Sequence, residues 1–439
     1  MKKIKVKGGL NIPLHGSVNN LTNLEEIKTK FSAVLSEDYF GLKPKILVRE
    51  GDEVEQGSPL FEDKTNPGFY VRAPQSGKVH SVNRGDKRAL VSIIIESNKD
   101  TTPTAYSTSS NLAQTLENSG LWDSFRERPF NRVPALNASA DNIFVNACKQ
   151  DSLVIDPAIV IEHEKEFFAA GLKQIKQLAQ KNCYVVSNTD LATVEESIEF
   201  ITIEDGKQSG NVSLHIQTIR PLRKSERTWT IDWQDIIRIG KLFTNQSLCF
   251  DRYVSITGPN CNEPKMLLTG AGASMEELTA GIAKEPVRRI SGSAIYGFYG
   301  DSYTDFLSRY ANQVTLISDE PKATFFNWLK PGSKDHSNSN VFLSSIFKPK
   351  MYNFDTNTNG GYRAIVPIGV FDEINPYDID PTLFLKSLAI GDLVALRELG
   401  IFDLISEDMA IFSYVCPSKY DYVALFNSCM EEIWKEENS

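Results

Sequence analysis

Nothing in these 439 residues approaches the roughly 18 consecutive apolar residues that a membrane-spanning helix needs. The apolar stretch over residues 90–95, interrupted by Ser92, has the length of a strand. The opening stretch MKKIKVKGGLNIPL alternates charge with apolar residues and has neither an h-region nor a cleavage site, so no secretory leader is expected. The six cysteines, at positions 148, 183, 249, 261, 416 and 429, include no Cys-x-x-Cys pair. That spacing fits reduced thiols in a cytoplasmic protein and excludes a disulfide scaffold. The five histidines (15, 80, 163, 215 and 336) share no metal-ligand spacing, and His163 is expected in the first turn of a helix, solvated. A Gly-x-Ser-x-Gly elbow, a Walker loop and a His-Glu-x-x-His pair are all missing. A net charge of −9 disfavours nucleic acid or an anionic bilayer as the main partner. These absences leave a soluble protein whose tie to a membrane would run through a partner.

What is present begins with residues 51–79. Gly51-Asp52-x-Val54-x-x-Gly57-x-x-Leu60-Phe61 and Ala73-Pro74-x-Ser76-Gly77-x-Val79 are two half-motifs of short apolar strands divided by tight turns. Glycine at such spacing supplies positive φ, and the valines suit half-buried strands. The pattern resembles the barrel-sandwich fold of biotinyl and lipoyl carriers. A working carrier presents a lysine at the tip between its half-motifs, and Lys64 stands there. Pro67-Gly68 and Phe69-Tyr70 enlarge that turn, so Lys64 is read as an ordinary solvated or ion-paired lysine, with a prosthetic group as the alternative.

The length predicts about three domains, and the pattern divides the chain into four stretches. Residues 1–100 hold an N-terminal edge strand (2–7) and the barrel-sandwich module, ending in a strand over 88–96. A Ser/Thr-rich linker follows at 101–110, opening an α/β stretch over 101–252. Strands are predicted at 143–147, 183–187 and 212–219, and helices at 162–181, 190–198 and 233–243. This alternation suggests a parallel, Rossmann-like sheet. Residues 253–335 begin with a strand at 253–258, and 267–278 join strand to helix through Gly270-Ala271-Gly272-Ala273-Ser274. Met275 stands where a dinucleotide fingerprint needs its third glycine, and Ser274 with Glu277 fits a capping box. This stretch resembles a soluble-ligand-binding β-grasp domain. After a polar segment at 331–340, residues 336–439 are helical, with helices at 382–390 and 393–399 and a last one carrying Leu425, Cys429 and Ile433.

Two places invite a chemical reading. Residues 121–134 interleave aromatics and arginines more densely than any other stretch, around Arg126, Arg128, Phe130 and Arg132. One reading is a domain-joining loop whose arginines pair with carboxylates. The other is a recognition loop in which a ring stacks and an arginine donates to a carbonyl or anion. Cys416-Pro417 has the dipeptide that ends iron–sulfur runs, but Phe412, Ser413, Tyr414 and Val415 before it supply no further thiolate. No metal and no redox centre is expected.

From end to end the chain resembles the A subunits of the sodium-translocating NADH:quinone oxidoreductases. The matching residues include Lys7-Gly8-Gly9-Leu10, Leu60-Phe61-Glu62-Asp63-Lys64, Asn66-Pro67-Gly68, Arg128-Pro129-Phe130 and Asp156-Pro157-Ala158. They continue with Gln234-Asp235, Gly272-Ala273-Ser274, Ser291-Gly292-Ser293, Val366-Pro367-Ile368-Gly369, Gly391-Asp392, Glu407-Asp408 and Val415-Cys416-Pro417. Family members often carry a cysteine where this chain has Phe412. The resemblance implies a peripheral, cytoplasmic-face component of a membrane complex that oxidises NADH, reduces ubiquinone and exports Na+. It also implies a fold like the NADH-binding subunit of respiratory complex I, with flavins and iron–sulfur centres in other subunits and an isolated chain that is not catalytic. The membrane-embedded B subunit and ubiquinone are the partners it implies, and the Arg126, Arg128, Phe130 and Arg132 loop is the nominated quinone contact. A purely structural adaptor, a carrier modified at Lys64 and a direct NADH dehydrogenase are the competing readings.

Overall fold

The computed structural model describes residues 2–21, 24–98, 104–109, 111–191, 197–321, 331–333, 335–337, 342–346 and 351–438. Four sheets organise them. The barrel-sandwich half-motifs form a four-stranded sheet (Phe31–Leu35, Leu90–Ser97, Gly77–Arg84, Glu53–Val54) and a three-stranded one (Pro44–Ile46, Pro59–Asp63, Tyr70–Arg72). Gly51 and Gly57 turn the chain at φ 92° and 87°, where a side chain would be strained. Val54, Leu60, Phe61, Val71, Val79, Ile93 and Ile95 close the module's core.

The second unit is a six-stranded sheet in the order Lys2–Ile4, Glu199–Ile203, Ala179–Ser187, Ala140–Ala147, Thr228–Asp232 and Arg126–Glu127. All neighbours are parallel except the last pair. Counting from the Ala140–Ala147 strand, the order is third, second, first, fourth. That is one half of a doubly wound nucleotide-binding fold, with its switch point between the first and fourth strands. The N-terminal strand is an edge strand, as its alternate lysines suggest, but the edge it caps belongs to this sheet.

Helices Lys165–Lys176 and Trp233–Asn245 pack together on one face. Their backbones approach through a glycine from each side: a Cβ on Gly171 would lie 2.0 Å from the Ile236 carbonyl oxygen, and one on Gly240 1.8 Å from that of Phe167.

Three sequence expectations need correction here. Residues 212–219 form a helix, Val212–Ile219, and not a strand. Val212, Leu214 and Ile216 alternate, but Ser213 and His215 between them are buried too, and a short wholly buried segment gives no periodicity to separate the two states. The strand that completes the sheet is Thr228–Asp232, whose Thr-Trp-Thr-Ile run is a strand signature that the expected elements passed over. The helix expected over 162–181 is split. Pro157–His163 ends at an exposed His163, Lys165–Lys176 follows, and Ala179 already belongs to the next strand. The expected helix at 190–198 and linker at 101–110 lie partly outside the described residues.

The third unit is a mixed six-stranded sheet: Phe298–Tyr299, Val287–Ser291, Gln313–Ser318, Asp251–Thr257, Lys265–Gly270 and Glu25–Ile27. It too takes a strand from the start of the chain. Helices Val370–Ile374, Pro381–Ile390, Leu393–Glu398, Ala410–Val415 and Tyr422–Glu437 make the C-terminal unit. They pack on the far face of the parallel sheet, joining Phe144, Tyr184 and Val186 to Phe384, Leu388, Phe412 and Tyr422 in one apolar core.

Candidate functional site

In open α/β sheets, ligands bind outside the carboxyl ends of the strands at the switch point. Here that position lies between Cys148, which follows the Ala140–Ala147 strand, and Asp232, which ends the Thr228–Asp232 strand. A narrow cavity there is lined by Cys148, Gln150, Pro157 and Trp233 on one side and by Tyr253 and Met266 of the mixed sheet on the other. The mixed sheet therefore forms one wall of the space at the switch point. Asp156 and Asp232 cap the two helices that begin here, accepting from Ala158 N (2.9 Å) and Gln234 N (2.9 Å). Carboxylates hold the helix N-termini where phosphates would sit.

The Gly270-Ala271-Gly272 turn is closed as well. A Cβ on Gly272 would lie 2.1 Å from the Ala33 carbonyl oxygen, so a neighbouring strand occupies the cradle. Ser274 caps its helix from Glu277 N (3.4 Å). The reciprocal half of the capping box is missing, because the Glu277 carboxylate accepts instead from Lys30 N (2.6 Å) and Phe31 N (3.1 Å).

The arginine–aromatic loop starts on the sheet edge, where Arg126–Glu127 pairs antiparallel with Thr228–Asp232, and runs from there toward the amino end of that strand, away from the crevice; its four side chains go separate ways. The Arg126 guanidinium stacks 3.6 Å from the Tyr310 ring centroid and donates to the Asp38 carbonyl oxygen at 2.5 Å. Arg128 is buried and donates to Ser213 Oγ (2.9 Å) and the Phe402 carbonyl (3.3 Å), with Asp408, Asp403 and Glu407 supplying the compensating charge. Phe130 meets Phe402 edge-on at 6.2 Å. Arg132 lies 4.2 Å over the Trp434 ring and donates to Thr65 Oγ (2.8 Å). Arg126 and Phe130 keep half-exposed faces toward segment 402–408; Arg128 and Arg132 are committed to neighbouring units.

Across from the loop stands Glu407. Protein walls most of its surroundings and Asp408 repels it, raising its carboxyl to about 7 against the pull of Arg126 and Arg128. Its own surface is exposed, and the water reaching it moderates that shift. Burial lifts Asp232 to about 6, although Arg252 pulls it back. Asp232 was not singled out in the sequence, and Glu407 entered only through the Glu407-Asp408 pair of the family resemblance, with no chemical role given to it.

Behind the crevice, Asp235 gathers Arg238 (2.8 Å), Arg309 (3.1 Å) and Arg252 (3.5 Å), and Arg309 also pairs with Asp123 at 2.9 Å. Burial opposes its charge, but Arg309, Arg252 and Arg238 together hold Asp235 well below the usual carboxylate range. Gln234 beside it donates to the Tyr253 carbonyl (2.9 Å) and accepts from Tyr253 N (2.7 Å).

The hairpin tip of the barrel-sandwich module is tied down. Asp63 accepts from Lys43 N and Thr65 N, and Asn66 donates to the Pro134 carbonyl at 3.1 Å. Lys64 itself is exposed. Cys416 is buried, with Tyr422 Oη 3.5 Å from its sulfur, and the described residues hold no group of three or more His, Cys, Asp or Glu placed to bind a metal. No helix among them is long and apolar enough to cross a membrane.

Comparison with known proteins agrees with this architecture. Residues 4–98 match the NqrA N-terminal barrel-sandwich hybrid domain, 107–248 the NqrA second alpha/beta domain and 253–298 the NQRA C-terminal domain. The A subunit of the Na(+)-translocating NADH-quinone reductase of Mannheimia succiniciproducens is 38% identical over 99% of this chain and 100% of its own length. Those of Pasteurella multocida and Haemophilus influenzae are 38% and 37% identical over the same shares. A crystal structure of an NAD+-reducing [NiFe]-hydrogenase in the air-oxidized state aligns at a TM-score of 0.39 and 12% identity, over 73% of this chain and 62% of that one, a likeness too slight to bear on fold or function. With three domain matches and full-length identity of this order, the chain belongs to the family of A subunits of the Na+-translocating NADH-quinone reductases.

Proposed function

We propose that this chain is a peripheral component, on the cytoplasmic face of the membrane, of a complex that passes electrons from NADH to ubiquinone and exports Na+. The observation that carries this is the full-length identity to proteins named as the A subunits of such an enzyme. In this reading the chain docks the membrane-embedded B subunit, the flavins and iron–sulfur centres lie in partner subunits, and the chain has no redox centre. Its units follow the division 1–100, 101–252, 253–335 and 336–439, with a β-grasp third unit and a fold akin to the NADH-binding subunit of complex I whose nucleotide site is closed. The acid-capped helix N-termini and the walled switch point support that last statement.

The chain's own ligand is a quinone headgroup, held between the Arg126–Phe130 loop and segment 402–408. Arg126 donates to one carbonyl, Phe130 and Phe402 offer ring surface, and Glu407, its carboxyl raised by its protein surroundings and by Asp408, exchanges a proton with the other end. Arg128 positions the loop from below, and Arg132 anchors it to the barrel-sandwich module. Saturation-transfer NMR with a short-chain ubiquinone tests the site. Competable transfer that Phe130→Ala and Arg126→Gln each weaken at least fivefold supports it; transfer unchanged in both variants refutes it. A folded chain with no transfer favours the adaptor reading, which the intramolecular partners of all four loop residues make the main competitor. The carrier reading loses ground because a tip stitched to Pro134 gives a modifying enzyme no free hairpin.

A further inference from the structure

Residues 361–368, Gly-Tyr-Arg-Ala-Ile-Val-Pro-Ile, cross the C-terminal unit outside any helix or sheet. Part of this stretch is anchored. Arg363 Nε donates to the Pro417 carbonyl (3.0 Å), Ser418 Oγ donates to the Ala364 carbonyl (2.9 Å), and Ile365 packs on the apolar core. The rest is bare. Tyr362, Val366 and Ile368 are 83%, 60% and 66% exposed, and a Cβ added to Gly361 or Gly369 would meet nothing within 4 Å. Single apolar residues scattered over a surface mean little, but three within so short a stretch form a patch.

Two cations border the patch. Lys419 takes a left-handed conformation (φ 59°), and its stem lies along Gly360, whose added Cβ would come within 2.7 Å of Lys419 Cε. Beside it, Tyr420 meets the Tyr362 ring edge-on at 6.3 Å, so the two chain segments share one surface. Burial, and then the neighbouring charge of Arg363, lower the Lys419 pKa, and no carboxylate is among the groups acting on it. Asp421, the acid nearest to Lys419 along the chain, caps the last helix by accepting from Ala424 N (3.1 Å). Among the described residues no carboxylate pairs with either Arg363 or Lys419.

We propose that residues 361–368, with Lys419, dock a segment of a partner subunit that carries a carboxylate beside apolar side chains. This rests on the reading of the chain as one component of a larger complex. Charge complementarity selects the occupant. The whole chain has a net charge of −9, whereas this patch sets Arg363 and Lys419 close together with no acid paired to them. A symmetric contact of the patch with a second copy would bring two such cation pairs together. An anionic bilayer would meet the repulsion of the acidic molecule as a whole. A carboxylate between Arg363 and Lys419 relieves their repulsion. Tyr362, Val366 and Ile368 add the apolar contact that an exposed, salt-screened ion pair lacks.

The test places variants of the full chain in the assembled enzyme, immobilises the complex through another subunit and follows release of the chain as NaCl rises. Arg363→Glu should release the chain at about half the NaCl that releases the unsubstituted one, or less. Its thermal midpoint, measured on the isolated chain, should stay nearly unchanged because Arg363 is exposed. Val366→Ser alters no charge and should also bring release to lower NaCl. Release at unchanged NaCl in both variants would overturn the proposal. So would self-association of the isolated chain that Arg363→Glu abolishes, which would make the occupant a second copy. Binding to phosphatidylglycerol vesicles that Arg363→Glu abolishes, with release from the complex unchanged, would overturn it in favour of a lipid phosphate. An unsubstituted chain never found with the other subunits would remove the reading of the chain as a component, and this surface with it.

Discussion

The parallel sheet meets its neighbours across two seams built on opposite principles. Against the C-terminal helices the contact is apolar, with Phe144, Tyr184 and Val186 facing Phe384, Leu388, Phe412 and Tyr422. Against the mixed sheet it is charged, with Asp235 holding three arginines and Gln234 pairing with the Tyr253 backbone. Apolar burial is strong but non-directional. Buried ion pairs add little net stability once desolvation is counted, yet breaking one partner leaves a stranded charge. The first seam holds units together; the second dictates how they sit, and the crevice with Arg126, Asp232 and Glu407 opens beside it.

Removing the centre of the charged seam should be the most damaging change. Asp235→Ala strands Arg238, Arg252 and Arg309 and is expected to cost about 3–5 kcal/mol in urea unfolding. A loss below about 1 kcal/mol would mean water screens the cluster. In the apolar seam, Leu388→Ala should cost about 3 kcal/mol through lost burial and a cavity. If it matches or exceeds Asp235→Ala, the ranking of the two seams is wrong.

The apolar seam buries a histidine. His215 is fully buried, and burial lowers its pKa to about 4, although its Nε2 lies 2.6 Å from the Ser209 carbonyl oxygen. A folded value below the unfolded one means the stability is complete above about 6.5 and is lost as pH falls toward 4. Between pH 7 and 5 the unsubstituted chain should lose about 2 kcal/mol more than His215→Gln; parallel pH profiles would show that the imidazole is not desolvated. Smallest of all, Ser274→Ala should cost about 1 kcal/mol, because half of a capping box is all that is lost. A cost near 2 kcal/mol would point to a role in holding the Gly272 turn.

What the sequence revealed follows the same division. The barrel-sandwich turns and the Trp233–Asn245 helix were legible because short-range rules, turn glycines and apolar periodicity, define them. Val212–Ile219 and Thr228–Asp232 were not, because each opens with four or five consecutive buried residues, over which local pattern fades. The arginine density around 126–132 was visible, but its meaning depends on residues far along the chain. Arg128 reaches a carbonyl 274 positions away, and Arg309 finds Asp235 across 74. Lone acids such as Asp232 or Asp235 carry no mark of the charges that fold around them.

The placement of the first two strands bears on how the molecule is made. Lys2–Ile4 waits for Glu199–Ile203, and Glu25–Ile27 for Lys265–Gly270. At typical synthesis rates of about 5–20 residues per second, the start of the nascent chain has no lateral partner for on the order of 10–50 s after it leaves the ribosome. During that interval the barrel-sandwich module can close on its own contacts while the segment before it stays unpaired. Translation pauses before Lys265–Gly270 has emerged from the ribosome would lengthen that exposure, and later pauses would not.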